Sequence, residues 1–327
     1  MRRRLVPLTL VPLLLLTATA CGGDDAAGLS GAGSVDMGTE IPGVEVTGEV
    51  GKEPKVEISG PLKIEDTQTQ VIEVGDGNPV VKNEQALLNL SLINGTTGKK
   101  AVATYDQGRP FPVQQVSDGQ LWPGVLDAIV GKPVGSRIAV AAVPEDAYGA
   151  AGNPELEIGP KDPVLFVVDV VSVEPTDVLD SPEGKPVAEP PADTPQVVEQ
   201  GGDVTGIDFS EAPEKAPEEL QVIPLTEGGG PVARDDSLVT FDYFGQVYGT
   251  GTVFDESFSK QPVTFPLGIG GLIQGWDDGL VGLKEGSRVL IIVPPELGYG
   301  EDGSPPKIPG DATLAFVVDI LGVDAPA

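Results

Sequence analysis

The sequence predicts an α+β protein built twice over, each copy a curled antiparallel β-sheet wrapped around one short α-helix. Three observations lead there. Residues 271–300, GLIQGWDDGLVGLKEGSRVLIIVPPELGYG, are matched without a gap by residues 120–149, QLWPGVLDAIVGKPVGSRIAVAAVPEDAYG, at 12 of 30 positions. A length of 327 residues exceeds a typical single domain and fits two cores plus connecting material. The 44 glycines and 32 prolines require many turns and at least one unstructured connection, which disfavours a helix-rich architecture.

The chain opens with an export signal over residues 1–20: Arg2, Arg3 and Arg4, an apolar run over 5–16, then the small residues Ala18, Thr19 and Ala20 before Cys21. The run is too short for a comfortable transmembrane span, so cleavage is expected. Two cuts fit. One is ordinary cleavage after an A-x-A site, which yields a secreted protein. The other is lipoprotein processing, in which the Cys21 thiol is alkylated by a diacylglyceryl group. The sole cysteine follows three small residues and precedes Gly22 and Gly23, which resembles a bacterial lipobox, although Ala18 stands where leucine is usual. The lipoprotein reading is preferred and places the protein outside the cytoplasm, lipid-anchored to the cell membrane. Residues 21–43, rich in Gly, Ser and Asp, then form a flexible tether that holds the folded parts clear of the lipid.

The first domain spans 44–175. Residues 176–218 combine proline with acid, offer little to bury, and read as an extended, hydrated linker. Its far edge is ragged: Val204-Thr205-Gly206 echoes Val46-Thr47-Gly48, as though each repeat began with a short segment docking on the domain that follows. In the second domain, 219–327, the residue pattern predicts strands over 220–225, 238–247, 263–267, 288–293 and 313–321. The one convincing helix lies over 272–283. There Ile273, Trp276, Leu280 and Leu283 share a face through spacings of 3, 4 and 3, the period of an amphipathic helix laid on a sheet.

Composition removes whole chemistries. The formal charge is 20 − 50 = −30, spread along the chain, so phosphate backbones are repelled and nucleic acid is excluded as a partner. Without histidine there is no Ser-His-Asp or Cys-His relay and no HExxH zinc site, and a single cysteine forms neither a thiolate metal cluster nor an intrachain disulfide. No metal and no cofactor is expected. An enzyme of this composition works by binding, orientation or carboxylates.

The blocks VTFDYFG, VFDESF, FPLG, GLIQGWDDGL, PPELGYG and ATLAFVVDIL occur over 220–323 in the order found in FKBP-type peptidyl-prolyl isomerases, and this half of the chain resembles that family. The resemblance implies two FKBP-like domains and a peptidyl-prolyl cis-trans isomerase that acts on unfolded or flexible proline-containing polypeptides, with macrolide-type inhibitors as possible ligands. It implies a catalytic pocket lined by Tyr243, Phe254, Asp255, Ile273, Trp276, Tyr299 and Phe316, with Trp276 as its floor and Leu272, Val263 and Ile308 contributing to substrate binding. It further implies that the Ile273 amide and the Tyr299 hydroxyl donate to the bound peptide, while Asp255 lies near the amide that rotates. Val263 stands where an aromatic rim residue is common, and Ser304 where histidine is common, which puts inhibitor affinity in question. Read without the resemblance, Trp276, Phe316 and Phe254 are core aromatics, Asp255 is a solvated loop acid, and Tyr299 is a corner residue. A non-catalytic module that binds polypeptides as a chaperone is the alternative function.

The first repeat follows the framework from 71 to 173 while its pocket positions change. Val125 faces Trp276, Leu92 faces Tyr243, and Ala101-Val102 faces Phe254-Asp255. Phe316 lacks a clear aromatic counterpart unless a loop one residue shorter brings Phe166 to it. Trp122 lies one helical step, about 100°, from the face of Trp276. The first domain is therefore expected to keep the fold without useful isomerase activity. Gly275, Asp278, Gly282, Gly286, Ser287, Arg288, Pro295, Tyr299 and Gly300 recur in both repeats and are at least as well read as framework, so Trp276 and Ile273 carry more of the functional weight.

Overall fold

The computed structural model describes residues 35–187 and 191–324; the export segment and Cys21 lie outside them. In the first domain the strands are β1 (Val44–Thr47), β2 (Lys55–Ile58), β3 (Gln68–Glu73), β4 (Ala86–Asn94), β5 (Lys100–Ala103), β6 (Phe111–Val113), β7 (Arg137–Ala142) and β8 (Val164–Val173), with helix α1 at Pro123–Ile129. The remainder carries β9 (Gly184–Pro186), β10 (Gln196–Gln200), β11 (Asp203–Asp208), β12 (Gln221–Gly228), β13 (Leu238–Val247), β14 (Val253–Glu256), β15 (Val263–Pro266), α2 (Gln274–Leu280), β16 (Arg288–Val293) and β17 (Leu314–Asp324).

Both main sheets are antiparallel and share one order. The first runs β3-β7-β8-β4-β5 with β6 on β4, and the second runs β9-β12-β16-β17-β13-β14 with β15 on β13. Each lays one face on its helix. In the second domain Val239, Phe241, Val289, Ile291, Phe316 and Val318 meet Trp276 and Leu280 of α2 in a single buried cluster. Alternation along a strand sends every second side chain to this core.

The helix is shorter than the periodicity predicts. Ile273 has extended backbone at the N-cap, and Val281 has left helical geometry (ψ 132°) before Gly282 takes φ +90°. Gly282 turns the chain where residues with a Cβ are disfavoured, which ends the helix before Leu283. Strand β14 was not among the expected strands.

Residues 176–218 are not an extended linker. They carry β9, which joins the edge of the second sheet through β12, and the β10–β11 hairpin, which covers that sheet's outer face. Val204 and Ile207 bury against Phe244, Tyr248, Leu290, Ile292 and Val317. The β1–β2 hairpin does the same for the first sheet, where Val46 packs with Ile93, Ala139, Leu165 and Val167. Both outer faces are apolar and need a cover, so proline-rich stretches with few but well-spaced aliphatic residues fold onto them.

A repeated ion pair ties each hairpin down. Arg137 donates to the Asp169 carboxylate at 2.6 and 2.7 Å and to the carbonyls of Gly48 and Lys52 at 2.9 and 2.6 Å, all behind β1–β2. Arg288 donates to Asp319 at 2.5 and 2.6 Å and pairs with Glu199 of β10. Buried charges persist where they are paired and bonded in this way, and that gives the recurring arginine a framework role.

Candidate active site

In the second domain, α2, the sheet and two loops enclose a cavity of about 430 Å³. Its lining comes from Tyr243 on β13, Phe254 and Asp255 on β14, Phe265 on β15, Gly271, Leu272 and Ile273 before α2, Trp276 on α2, Tyr299, and Phe316 on β17. The Trp276 ring is nearly buried and stands edge-to-face with Phe241, Tyr243 and Phe316 at 5.5, 5.4 and 5.3 Å, while Phe254 meets Phe316 at 5.3 Å. Edge-to-face rings hold each other in orientation and leave a rigid apolar floor.

This packing depends on Gly245. A Cβ there would lie 2.5 Å from Phe254 Cε2 and 3.1 Å from Phe316 Cε1, so only glycine lets the Phe254 ring lie across β13. Nothing in the sequence pattern singles out this glycine, because its role rests on a ring from another strand.

Of the residues expected from the sequence, Val263 and Ile308 are not part of the lining. Ile308 is buried in the core cluster. The rim aromatic is Phe265, two residues along the same strand face from Val263 and 38% exposed. The period of two places both side chains on one face, but it does not say which of them reaches the cavity.

One wall is polar. The Tyr243 hydroxyl donates to Asp255 Oδ2 at 2.5 Å, and Asp255 Oδ1 accepts from the Glu256 amide at 2.9 Å and from Lys260 Nζ at 3.4 Å. Desolvation raises the Asp255 pKa, but the bonds from Tyr243 and Glu256 and the charge of Lys260 outweigh it and hold the carboxyl below its ordinary value. Desolvation and then the bond to Asp255 push the Tyr243 hydroxyl well above the ordinary phenol range. At neutral pH the wall therefore presents a fixed carboxylate and a neutral phenol.

Asp277 braces the other wall. Its buried carboxylate accepts from the Gly268 and Gly270 amides at 2.8 and 3.0 Å and fixes the loop that delivers Gly271, Leu272 and Ile273. Among the described residues the Ile273 N–H and the Tyr299 hydroxyl have no hydrogen-bond partner, so the lining retains two donors, and Tyr299 is 42% exposed. The Trp276 indole N–H is likewise buried without a partner among the described residues. A larger cleft of about 510 Å³ lies between the domains, but it is bounded by Glu73, Asp76, Asp169 and Asp236 and has no aromatic lining.

A family model described as FKBP-type peptidyl-prolyl cis-trans isomerase matches the chain twice, over residues 82–171 and 230–321. The chain belongs to this family. Among its relatives, the peptidyl-prolyl cis-trans isomerase FKBP2 of Mus musculus is 46% identical over 93 residues, which is 28% of this chain and 66% of the relative. The FK506-binding protein of Neisseria meningitidis serogroup B is 43% identical over 105 residues, 32% of this chain and 95% of that one. The FK506-binding protein of Streptomyces anulatus is 40% identical over 109 residues, 33% and 88% respectively. The match thus spans just under two thirds of the mouse relative's length.

The two FKBP-type domains correspond through strand register. Asp242 pairs with Asp319 and Asn89 with Asp169, so Tyr243 corresponds to Leu90, while Leu92 takes the place of Gly245. Gly245 and Leu92 lie opposite Phe316 and Phe166, so Phe166 is the counterpart of Phe316 and the first domain keeps that aromatic. The loop before β8 is one residue longer than the loop before β17, since Ala142 pairs with Val164 and Val293 with Leu314. Asp255 and Val102 lie opposite Gly245 and Leu92, which places Phe254-Asp255 against Ala101-Val102. Trp122 is the N-cap of α1, as Ile273 is of α2, and its ring packs on Phe166 at 5.0 Å and Tyr148 at 5.7 Å.

Proposed function

We propose that the second domain accelerates rotation about Xaa-Pro peptide bonds in unfolded or flexible polypeptides outside the cytoplasm, with the Trp276 cavity as the active site. The observation that carries this reading is the union of an aromatic floor, a fixed Tyr243–Asp255 pair and unpaired donors at Ile273 and Tyr299 around one cavity. Rotation about a prolyl bond crosses a barrier of about 18–20 kcal/mol and needs no nucleophile. The twisted amide has lost resonance and is less strongly solvated than the planar ground state, so an apolar aromatic site favours it. Donors held in place at Ile273 and Tyr299 orient the peptide, and Asp255 lies beside the amide that turns. A millionfold acceleration requires about 8 kcal/mol of differential stabilisation, within reach of several modest contacts acting together.

The first domain is proposed to lack turnover, since Val125, Leu90 and Val102 replace the floor, the phenol and the carboxylate. Relatives are named for binding FK506, and the same cavity is proposed to take macrolide-type inhibitors. Cys21 is proposed to carry a lipid that holds the chain at the cell membrane, with secretion after cleavage as the alternative.

A protease-free assay of prolyl isomerisation on the whole protein tests the enzyme. Faster exchange of a proline peptide is expected. Peptide binding without acceleration would end the catalytic reading in favour of a polypeptide-binding chaperone. Cys21→Ser is expected to release the protein from membranes, and continued retention would refute the anchor.

A further inference from the structure

We propose that the first domain is a positioning element for the second domain's cavity, holding both of that cavity's outer walls from behind. This rests on the cavity being the active site. The contact is built from residues that serve neither core. On β4, Leu88, Leu90 and Leu92 face the helix of their own domain, which leaves Leu87 on the opposite face. Leu87 is nevertheless fully buried, because it packs with Val171 of its own sheet and with Leu238 and Ile269 of the second domain. Leu238 likewise points away from its own core, whose β13 members are Val239, Phe241, Tyr243 and Val247.

Ile269 makes this contact bear on the site. It lies between Gly268 and Gly270, the two amides held by Asp277, and two residues before Gly271 opens the cavity lining. One side of that loop is tied to α2 and the other is backed by Leu87. The second wall is held similarly: Gln85 Nε2 donates to the Thr264 carbonyl at 3.2 Å, one residue before the rim aromatic Phe265. Gln85, just before β4, and Leu87 on β4 thus reach the two segments that form the cavity's outer walls.

A buried polar lock fixes the register of this contact. The Asp324 carboxylate at the end of β17 accepts from the Val173 amide at 2.9 Å, Asn78 Nδ2 at 2.9 Å and Ser172 Oγ at 3.1 Å, and Ser172 Oγ accepts from the Leu238 amide at 2.9 Å. Hydrogen bonds are directional, so the lock sets where Gln85 and Leu87 meet the second domain, which an apolar patch alone does not. A domain whose pocket has been filled thereby keeps a function in its docking face.

The test uses the whole protein with Gln85→Ala and Leu87→Ala combined. Hydrogen exchange of amides in 264–273 is expected to rise about tenfold while that of β16 stays unchanged. KM for a proline peptide is expected to rise about threefold or more with kcat within about twofold, since the Trp276 floor and the Tyr243–Asp255 pair are untouched. Leu87→Met with Gln85 retained is expected to restore both. Unchanged exchange in 264–273 together with unchanged KM overturns the inference. If the wild-type protein shows no turnover, the catalytic reading fails, while the exchange measurement still decides whether the first domain holds these walls. Gln85→Ala alone, at a half-buried position outside both cores, provides the same readouts should the double variant not fold.

Discussion

Between helix and sheet, the two domains distribute similar aromatic mass in opposite ways. In the second, Trp276 lies on the buried face of α2, Ile273 stands at its N-cap, and a cavity remains above the indole. In the first, Val125 takes the buried face and Trp122 the N-cap, from which its ring covers Phe166 and packs edge-on against Tyr148. A second exchange accompanies it. Gly245 makes room for the Phe254 ring, whereas Leu92 fills that space and Ala101 replaces the ring. Each swap conserves volume, which is how a core tolerates change. The frame therefore survives in both domains, whereas the Trp276 floor and the Tyr243–Asp255 pair occur in the second. Tyr148 shows the same: it keeps the place of Tyr299, but the Trp122 ring packs against it at 5.7 Å and burial pushes its hydroxyl up.

The steric exchange offers the largest effect. Gly245→Leu, the residue of the first domain, is expected to destabilise the second domain by about 1–3 kcal/mol, because its Cβ meets the Phe254 ring. Adding Phe254→Ala is expected to recover about 1 kcal/mol or more in a double-mutant cycle read by urea unfolding. Additive losses would show that the two positions do not share one space. Next comes the rim: Phe265→Ala is expected to raise KM for a proline peptide about fivefold, at roughly 1 kcal/mol of lost apolar contact, while Val263→Ala leaves it unchanged. The reverse order would restore Val263 as the rim residue.

The smallest expected effect is on pH. Asp255 is held below the ordinary carboxylate value, so its ion and the stability it contributes are present at neutral pH and are lost only as pH falls through that lowered value. Tyr243 is raised and stays protonated, and the chain has no histidine. A kcat/KM profile is expected to be flat from about pH 6 to pH 9. A bell-shaped profile in that window would mean that a different group governs turnover.

Much of this was legible in the sequence, for stated reasons. Strands 238–247 and 288–293 coincide with β13 and β16 because alternation and flanking turns mark their ends, and the repeat identified two copies of one fold. Helix α2 was overestimated because Ile273 and Leu283 fit the apolar period while the backbone leaves the helix on both sides. The hairpin β10–β11 was hidden by proline and acid, and only the echo of Val46-Thr47-Gly48 in Val204-Thr205-Gly206 pointed to it. A gapless comparison sets Leu92 instead of Leu90 against Tyr243 and leaves Phe316 without a clear partner, because the first domain carries two extra residues between β5 and α1 and one before β8, which strand register reveals. Gly245 and Phe265 act through contacts between separate strands, and Asp277 through backbone amides of the preceding loop, and no apolar period carries that information.

The central claim, that turnover belongs to the second cavity alone, is tested most directly by one protease-free isomerisation comparison in the whole protein. Phe254→Ala with Asp255→Val gives the second domain the first domain's residues and is expected to lower kcat/KM at least about tenfold, whereas Trp122→Ile, which uncovers Phe166, is expected to leave it unchanged. Turnover that persists in the first variant, or falls equally in the second, would contradict the account.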